Sequence, residues 1–383
     1  MGKIKVMTIF GTRPEAIKMA PVVKGLEETE DLESIVTVTA QHREMLDQVL
    51  DLFDIEPDYD LDIMKSGQTL SDITVRVLKG LESVLLEAKP DIVLVHGDTS
   101  TTFVAGLASY YQQIRVGHVE AGLRTYNKYS PFPEEVNRQL TGVLADIHFA
   151  PTSTSCANLL KENIERDDIF ITGNTVIDAL LSTVDDSFVF ENSLLNKIDF
   201  ENKKILLLTS HRRENLGKPM ENIFVAVRNL VNNNPEVEVV FPIHLNPKVR
   251  DIANRILSDI DRVHLIEPLD YQPFANLMVR SYLIMTDSGG IQEEAPGLGK
   301  PVLVLRDTTE RPEAIAAGTV KLVGTDMDTV YETANQIIRD DNIYQGMANA
   351  VNPYGDGKAV KRIMRRLRYE FGFSDDKGEE FKI

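Results

Sequence analysis

Two carboxylates lie where a short apolar run gives way to a loop, and two more follow in a loop of their own. Asp98 follows the run 92–96 in Val95-His96-Gly97-Asp98-Thr99, and Glu120 follows the run 116–119 in Gly117-His118-Val119-Glu120-Ala121-Gly122. Glu134 and Glu135 come fourteen residues later in the proline-stiffened stretch Pro131-Phe132-Pro133-Glu134-Glu135. Taken singly, Asp98 reads as the cap of the helix that follows and each glutamate as a surface charge. Three acidic positions converging on one strand-end crevice suit acid–base work, where one group takes a proton and another supplies one. His211 occupies the same kind of position after the run 204–209, with Arg212 and Arg213 beside it; His42 and His244 follow two further runs. A lone histidine is more often structural, but His211 stands where it can face a ligand.

A second set of residues suits a phosphate. In Phe10-Gly11-Thr12-Arg13-Pro14-Glu15, Gly11 permits a sharp turn, Thr12 and Glu15 have capping-box spacing, and Pro14 fits a first helical turn. One reading is a well-capped helix with Arg13 and Lys18 on its surface. The other is an anion site built from helix amides and two cations. In Met285-Thr286-Asp287-Ser288-Gly289-Gly290 a strand breaks into Ser288, Gly289 and Gly290 and restarts as a helix. Bare amides and a hydroxyl can then approach a diphosphate closely. Glu294, one turn further on, is placed for ribose hydroxyls, and Arg311, after the next strand, adds a cation. The bland alternative is a Gly-rich turn with a solvated glutamate pair. No Gly-x-Gly-x-x-Gly or P-loop pattern occurs. Cys156 is the single cysteine and no Cys/His cluster is visible, so neither a metal nor a cofactor is expected.

Positioning such loops requires strands that end together. β-Branched apolar runs at 5–10, 35–39, 92–96, 116–119, 147–150 and 169–172, then at 204–209, 237–242, 263–266, 282–286, 302–305 and 320–323, alternate with helical stretches such as 70–89. Continuous rather than alternating apolar strands indicate parallel sheets covered on both faces. Two sets of roughly six strands fit two doubly wound α/β domains, with ligands at the carboxyl ends of the strands. The boundary is expected in the polar stretch 185–203, giving domains 1–185 and 203–357. A last helix at 357–371 is followed by a charged tail, 374–383, expected to be frayed and solvated. Asp plus Glu number 59 against 41 Lys plus Arg, a net charge of −18, so no nucleic-acid partner is expected. No apolar run approaches the ~20 residues of a membrane helix. No signal peptide is visible at the N-terminus, and a cytoplasmic location is expected.

These strings, in order, resemble the non-hydrolysing UDP-N-acetylglucosamine 2-epimerases of the GT-B group. The likeness runs from Phe10-Gly11-Thr12-Arg13-Pro14-Glu15-Ala16 to Asn352-Pro353-Tyr354-Gly355-Asp356-Gly357. Between these ends it rests on the strings at 41–46, 96–99, 118–125, 173–179, 211–214, 287–296 and 306–313. The resemblance implies two Rossmann-like domains facing across a cleft, with the terminal helix, 358–383, packed back on the first. It also implies a homodimer and reversible conversion of UDP-GlcNAc to UDP-ManNAc for cell-surface polysaccharide. By motif position its catalytic groups fall on Asp98, Glu120, Glu134 and His211. Its UDP contacts fall on Arg13, Lys18, the loop from Leu269 to Phe274, Ser288, Gly289, Gly290, Glu294 and Arg311. Some members bind a second UDP-GlcNAc as activator through positions like Gln41, His42, Arg212 and His244, although Glu44 and Gly67 stand where some activated members carry Gln and Arg. A carbon with no attached carbonyl cannot be inverted by simple enolisation. The route implied is therefore elimination of UDP to 2-acetamidoglucal and re-addition. The rival reading, a GT-B UDP-sugar glycosyltransferase, would use the same nucleotide site but would leave UDP-GlcNAc untouched without an acceptor.

Overall fold

The computed structural model describes residues 2–41, 43–65, 67–309 and 311–382. The chain divides into two compact units, Met1–Ala179 with Tyr354–Lys382, and Leu180–Pro353. In the first, β1 (Ile4–Phe10), β2 (Leu32–Val38), β3 (Tyr59–Asp60), β4 (Ile92–His96), β5 (Arg115–Val119), β6 (Ile147–Ala150) and β7 (Ile169–Ile171) form one sheet. Its order is β3-β2-β1-β4-β5-β6-β7, and every pair is parallel. Successive side chains of β1 serve opposite faces: Val6 and Phe10 pack with Met19 and Val23 of the helix Arg13–Glu27, whereas Met7 and Ile9 pack with Val77 and Leu81 of the helix Leu70–Ala88. Cover on both faces is why these strands read as unbroken apolar runs.

The second unit repeats the plan with β8 (Lys204–Thr209), β9 (Val237–Pro242), β10 (Val263–Ile266), β11 (Leu283–Thr286), β12 (Val302–Val304) and β13 (Val320–Leu322), in the order β10-β9-β8-β11-β12-β13. Each expected strand is present within a few residues. The addition is β3, whose two residues, Tyr59 and Asp60, are too few and too polar to signal a strand. The polar stretch 185–203 packs on the second unit, where Arg280 donates to the Phe188 carbonyl at 2.6 Å and stacks on Phe190. In each sheet the order reverses at its centre, between β1 and β4 and between β8 and β11. The crevices beyond the carboxyl ends of those pairs are where such sheets bind ligands.

The tail corrects the sequence-based expectation. Residues 374–382 are not frayed: the Phe381 amide donates to the Ile171 carbonyl at 2.8 Å and its ring is 6% exposed. Glu380 accepts from the Ile171 amide and pairs with Arg166. The charged composition concealed one phenylalanine, worth about 1.5–3 kcal/mol when buried, and an edge strand, β7, with open backbone groups to cover. The preceding helix, Ala359–Glu370, packs against Arg13–Glu27, and its N-terminal amides at Ala359 and Val360 donate to Asp178.

His118 of β5 and His148 of β6 stand opposite each other in the register, both enclosed. Burial pushes His118 down to about 3 and His148 down to about 4, so both rings are neutral in the folded chain. Below pH 6.5 the unfolded chain takes up protons that these folded rings refuse, so stability falls with falling pH. The loss at pH 5 is about 2 kcal/mol per ring relative to pH 7. Denaturant unfolding at both pH values checks this: His148→Asn should shrink the loss by about 2 kcal/mol, and an undiminished loss would remove His148 from the account.

Candidate active site

In the first unit a buried carboxylate assembles two of the strand-end loops. Glu15, 2% exposed, does more than close the capping box after β1. Its Oε2 accepts from the amides of Gly11 and Thr12 (3.1 and 2.9 Å) and from the Thr12 hydroxyl (2.8 Å). Its Oε1 accepts from the hydroxyls of Thr99 and Thr102, at 2.6 and 3.1 Å, in the loop and helix after β4. The loop after β1 is thereby tied to the one that carries Asp98. Glycine is required at 11, because a Cβ there would lie 1.9 Å from the Thr39 hydroxyl.

Asp98 and Glu120 leave adjacent strands at the same level, since His96 pairs with Val119 in the register. A Cβ on Gly97 would stand 3.6 Å from Glu120 Oε1. Asp98 is ion-paired with Arg138, and Arg138 also reaches Glu135 at 3.5 Å. Glu135, fully enclosed, accepts from the amides of Thr125 and Tyr126 (2.9 and 3.0 Å), binding the loop after Glu120 to the helix Glu134–Leu144. Glu134 is the first residue of that helix, and its buried Oε2 has no hydrogen-bond partner among the described residues. Asp98 and Glu120 therefore stand at adjacent strand ends of this unit, and Arg138, paired with both Asp98 and Glu135, ties the helix that opens with Glu134 to the loop after β4.

Glu120 is the most constrained of them. Its φ of +61° lies in the left-handed region, which costs a residue with a Cβ about 1–2 kcal/mol. It is ion-paired with Lys18, accepts from Asn174 Nδ2 at 2.8 Å and lies 3.7 Å from His96 Nε2. Burial alone would push its carboxyl up, but the Lys18 ammonium and His96 outweigh burial and hold it well below the usual carboxylate range. Lys18, expected on UDP, is here the counter-ion of Glu120, while Arg13 is exposed at the start of its helix. Gln41 adjoins the same loop, its amide donating to the Gly11 carbonyl at 3.0 Å. His42 lies outside the described residues.

In the second unit Ser288 stands at the N-terminal boundary of the helix Gly289–Gly297, directly after β11, with no capping hydrogen bond to its side chain among the described residues. A Cβ on Gly289 would lie 3.8 Å from Arg212 Nη2 and 3.9 Å from Arg311 Nη2, so two guanidiniums flank the bare start of the helix. Gly290 beside it is exposed. Amides and two cations at one helix N-terminus form an anion site. Arg311 is also ion-paired with the buried Glu293. Glu294 is half-buried on this helix. Burial and then the charge of Glu294 push the Tyr271 phenol well above its usual value, which brings the 269–274 loop, with Leu269 and Phe274 half-buried, up to Glu294. His211, after β8, lies 3.2 Å from Asp287 through Nδ1 and stacks on His244, with ring centroids 5.5 Å apart. Arg212 and His244, carried over as second-site residues, thus adjoin the anion site and His211 of this unit.

Sequence reasoning gave no role to Asn174, Arg138 or Asp287, and offered Glu135 only as a carboxylate beside Glu134. Asn174 and Asp287 were inside the matched strings, and each follows a strand closely. That position was the available signal, but what each holds depends on partners distant along the chain.

Two parallel-sheet units, each with polar and charged groups at its switch point, define a GT-B-like α/β enzyme. The sequence model for UDP-N-acetylglucosamine 2-epimerase matches residues 24–368. The UDP-N-acetylglucosamine 2-epimerase of Bacillus subtilis strain 168 is 58% identical over 381 residues, covering 100% of this chain and 99% of that one. The UDP-GlcNAc 2-epimerase from Neisseria meningitidis, solved bound to UDP-GlcNAc, is 54% identical with a TM-score of 0.83, covering 95% of this chain and 99% of that one. The S. aureus MnaA–UDP co-structure is 54% identical with a TM-score of 0.88, covering 99% and 100%. The chain belongs to the UDP-N-acetylglucosamine 2-epimerase family, and is an isomerase.

Glu15→Ala should leave the donors of both loops buried without an acceptor, lowering stability by about 2–4 kcal/mol. Urea unfolding checks this; a loss below ~0.5 kcal/mol, the scale of a surface change, would show that the loops do not depend on it.

Proposed function

We propose that the chain interconverts UDP-GlcNAc and UDP-ManNAc by eliminating and re-adding UDP. Asp98 and Glu120 at adjacent strand ends, with Glu134 opening the helix that Arg138 ties to Asp98, carry this reading, because a hydride or acyl transfer would not call for three acids. In the first half-reaction a carboxylate takes the C2 proton, the C2–H electrons form the C1=C2 bond, and the C1–O bond breaks with its pair on the diphosphate. The products are UDP and 2-acetamidoglucal. In the second, a protonated carboxyl delivers a proton to the opposite face of C2 and the diphosphate oxygen closes on C1. Glu120 enters as an ionised group. Asp98 and Glu134 complete the set, with no face assigned to any one of them. His211, Arg212 and Arg311 meet the charge growing on the diphosphate, and Ser288-Gly289-Gly290 with Glu294 retains UDP between the halves.

The proton exchanges with water while it is on the carboxylate. UDP-ManNAc made in heavy water should therefore carry deuterium at C2, and recovered UDP-GlcNAc should acquire it through the reverse reaction. Mass spectrometry and proton NMR read this directly, and full retention of ordinary hydrogen at C2 would sink the mechanism. Asp98→Asn, Glu120→Gln or Glu134→Gln should each slow turnover by ~10²-fold or more, the scale of a positioned acid or base.

Glu294 and Arg311 are proposed to hold UDP alike in ground state and transition state. Glu294→Ala and Arg311→Ala should therefore weaken UDP binding, measured by calorimetry, more than they lower kcat. Unchanged UDP affinity in both variants removes them from the site.

A further inference from the structure

If His211 meets the departing diphosphate, one of its two ring nitrogens must do so, and the surroundings of Asp287 select which. Asp287, directly after β11, is fully enclosed. Its Oδ2 accepts from the Ser210 hydroxyl (3.1 Å), the amides of His211 and Arg212 (both 2.9 Å) and Asn215 Nδ2 (3.1 Å). The loop after β8 is therefore wrapped around one carboxylate oxygen. The other oxygen, Oδ1, accepts from the His211 amide at 3.1 Å and lies 3.2 Å from His211 Nδ1. Burial would push this carboxyl up, but the His211 ring and the surrounding N–H groups outweigh it and hold it ionised. An anionic acceptor at that distance calls for a hydrogen on Nδ1.

His244 holds the face of the ring, its plane tilted only 15° from that of His211. The Asn246 amide donates to His244 Nδ1 at 3.1 Å, which leaves that nitrogen without a proton. Burial, and then the neighbouring His211, push His244 down. It serves as a neutral plate beside the reactive ring, and Arg212 Nε donates to the Asp287 carbonyl at 3.3 Å. With Nδ1 engaged and one face covered, Nε2 is the ring nitrogen left for a ligand.

We propose that Asp287 is a positioning residue that fixes the Nδ1–H form of His211 and so presents Nε2 to the diphosphate, which rests on the role given to His211 above. A neutral imidazole has two forms of similar energy. A carboxylate on one nitrogen removes the ambiguity, and Nε2, after taking a second proton from solvent water, donates it in a hydrogen bond to a phosphate oxygen.

The test combines kinetics with a spectroscopic readout in the full chain. His211→Asn and Asp287→Asn should each lower kcat by ~10²-fold with KM changed less than about three-fold, and the double variant should be no slower than His211→Asn alone. In the unaltered chain, nitrogen NMR of labelled histidine, at a pH where the ring is neutral, should show His211 protonated at Nδ1 and bare at Nε2. Fully multiplicative losses in the double variant, or His211 protonated at Nε2 instead, would overturn the proposal. A His211→Asn variant with full activity would instead remove the role of His211, and the NMR form would still decide what Asp287 does. If Asp287→Asn fails to fold, the unaltered chain's spectrum settles the matter alone.

Discussion

A carboxylate taken out of water must be surrounded by donors, and that demand shapes the strand ends of both units. Glu15 draws the loops after β1 and β4 together, Glu135 draws the loop after β5 onto its helix, and Asp287 wraps the loop after β8 around the end of β11. Backbone amides supply many of these donors. Each acid therefore fixes main-chain path as well as side-chain position, which a hydrophobic contact cannot do with the same angular precision. The groups proposed for chemistry, Asp98, Glu120, Glu134 and His211, sit on or beside the loops so fixed.

The charges in the two units are arranged for different tasks. In the first unit cations are spent on acids: Lys18 on Glu120, and Arg138 on Asp98 and Glu135. In the second, Arg311 also pairs with the buried Glu293, yet with Arg212 it flanks a helix start whose amides are open to an anion. Net charge −18 does not bar a local anion site, because the field there is set by groups within a few ångströms and screened beyond about ten.

The strands were legible in the sequence because burial on both faces leaves an unbroken apolar run, and β4 and β6 were read to the residue. The places of Asp98 and Glu120 at strand ends were legible because a residue's position after a strand can be read from its neighbours. Asp287 stood in plain view, but its tie to the His211 amide spans 76 residues, and no spacing rule reaches that far. The left-handed backbone of Glu120 was equally hidden, since nothing in Val119-Glu120-Ala121 announces it. The tail misled because one phenylalanine among charges carries little weight in composition and much in packing.

The division of the chain sets an order on its making. Leu180–Pro353 is contiguous, so every residue of the second unit is available once position 353 has left the ribosome. The first unit begins earlier and ends later. Its sheet is complete in sequence by β7, but the helix that covers Arg13–Glu27 and the phenylalanine that closes the edge of β7 are synthesised only after the whole of the second unit. During translation the opening unit must wait, with an uncovered face and an open edge, while its successor is finished.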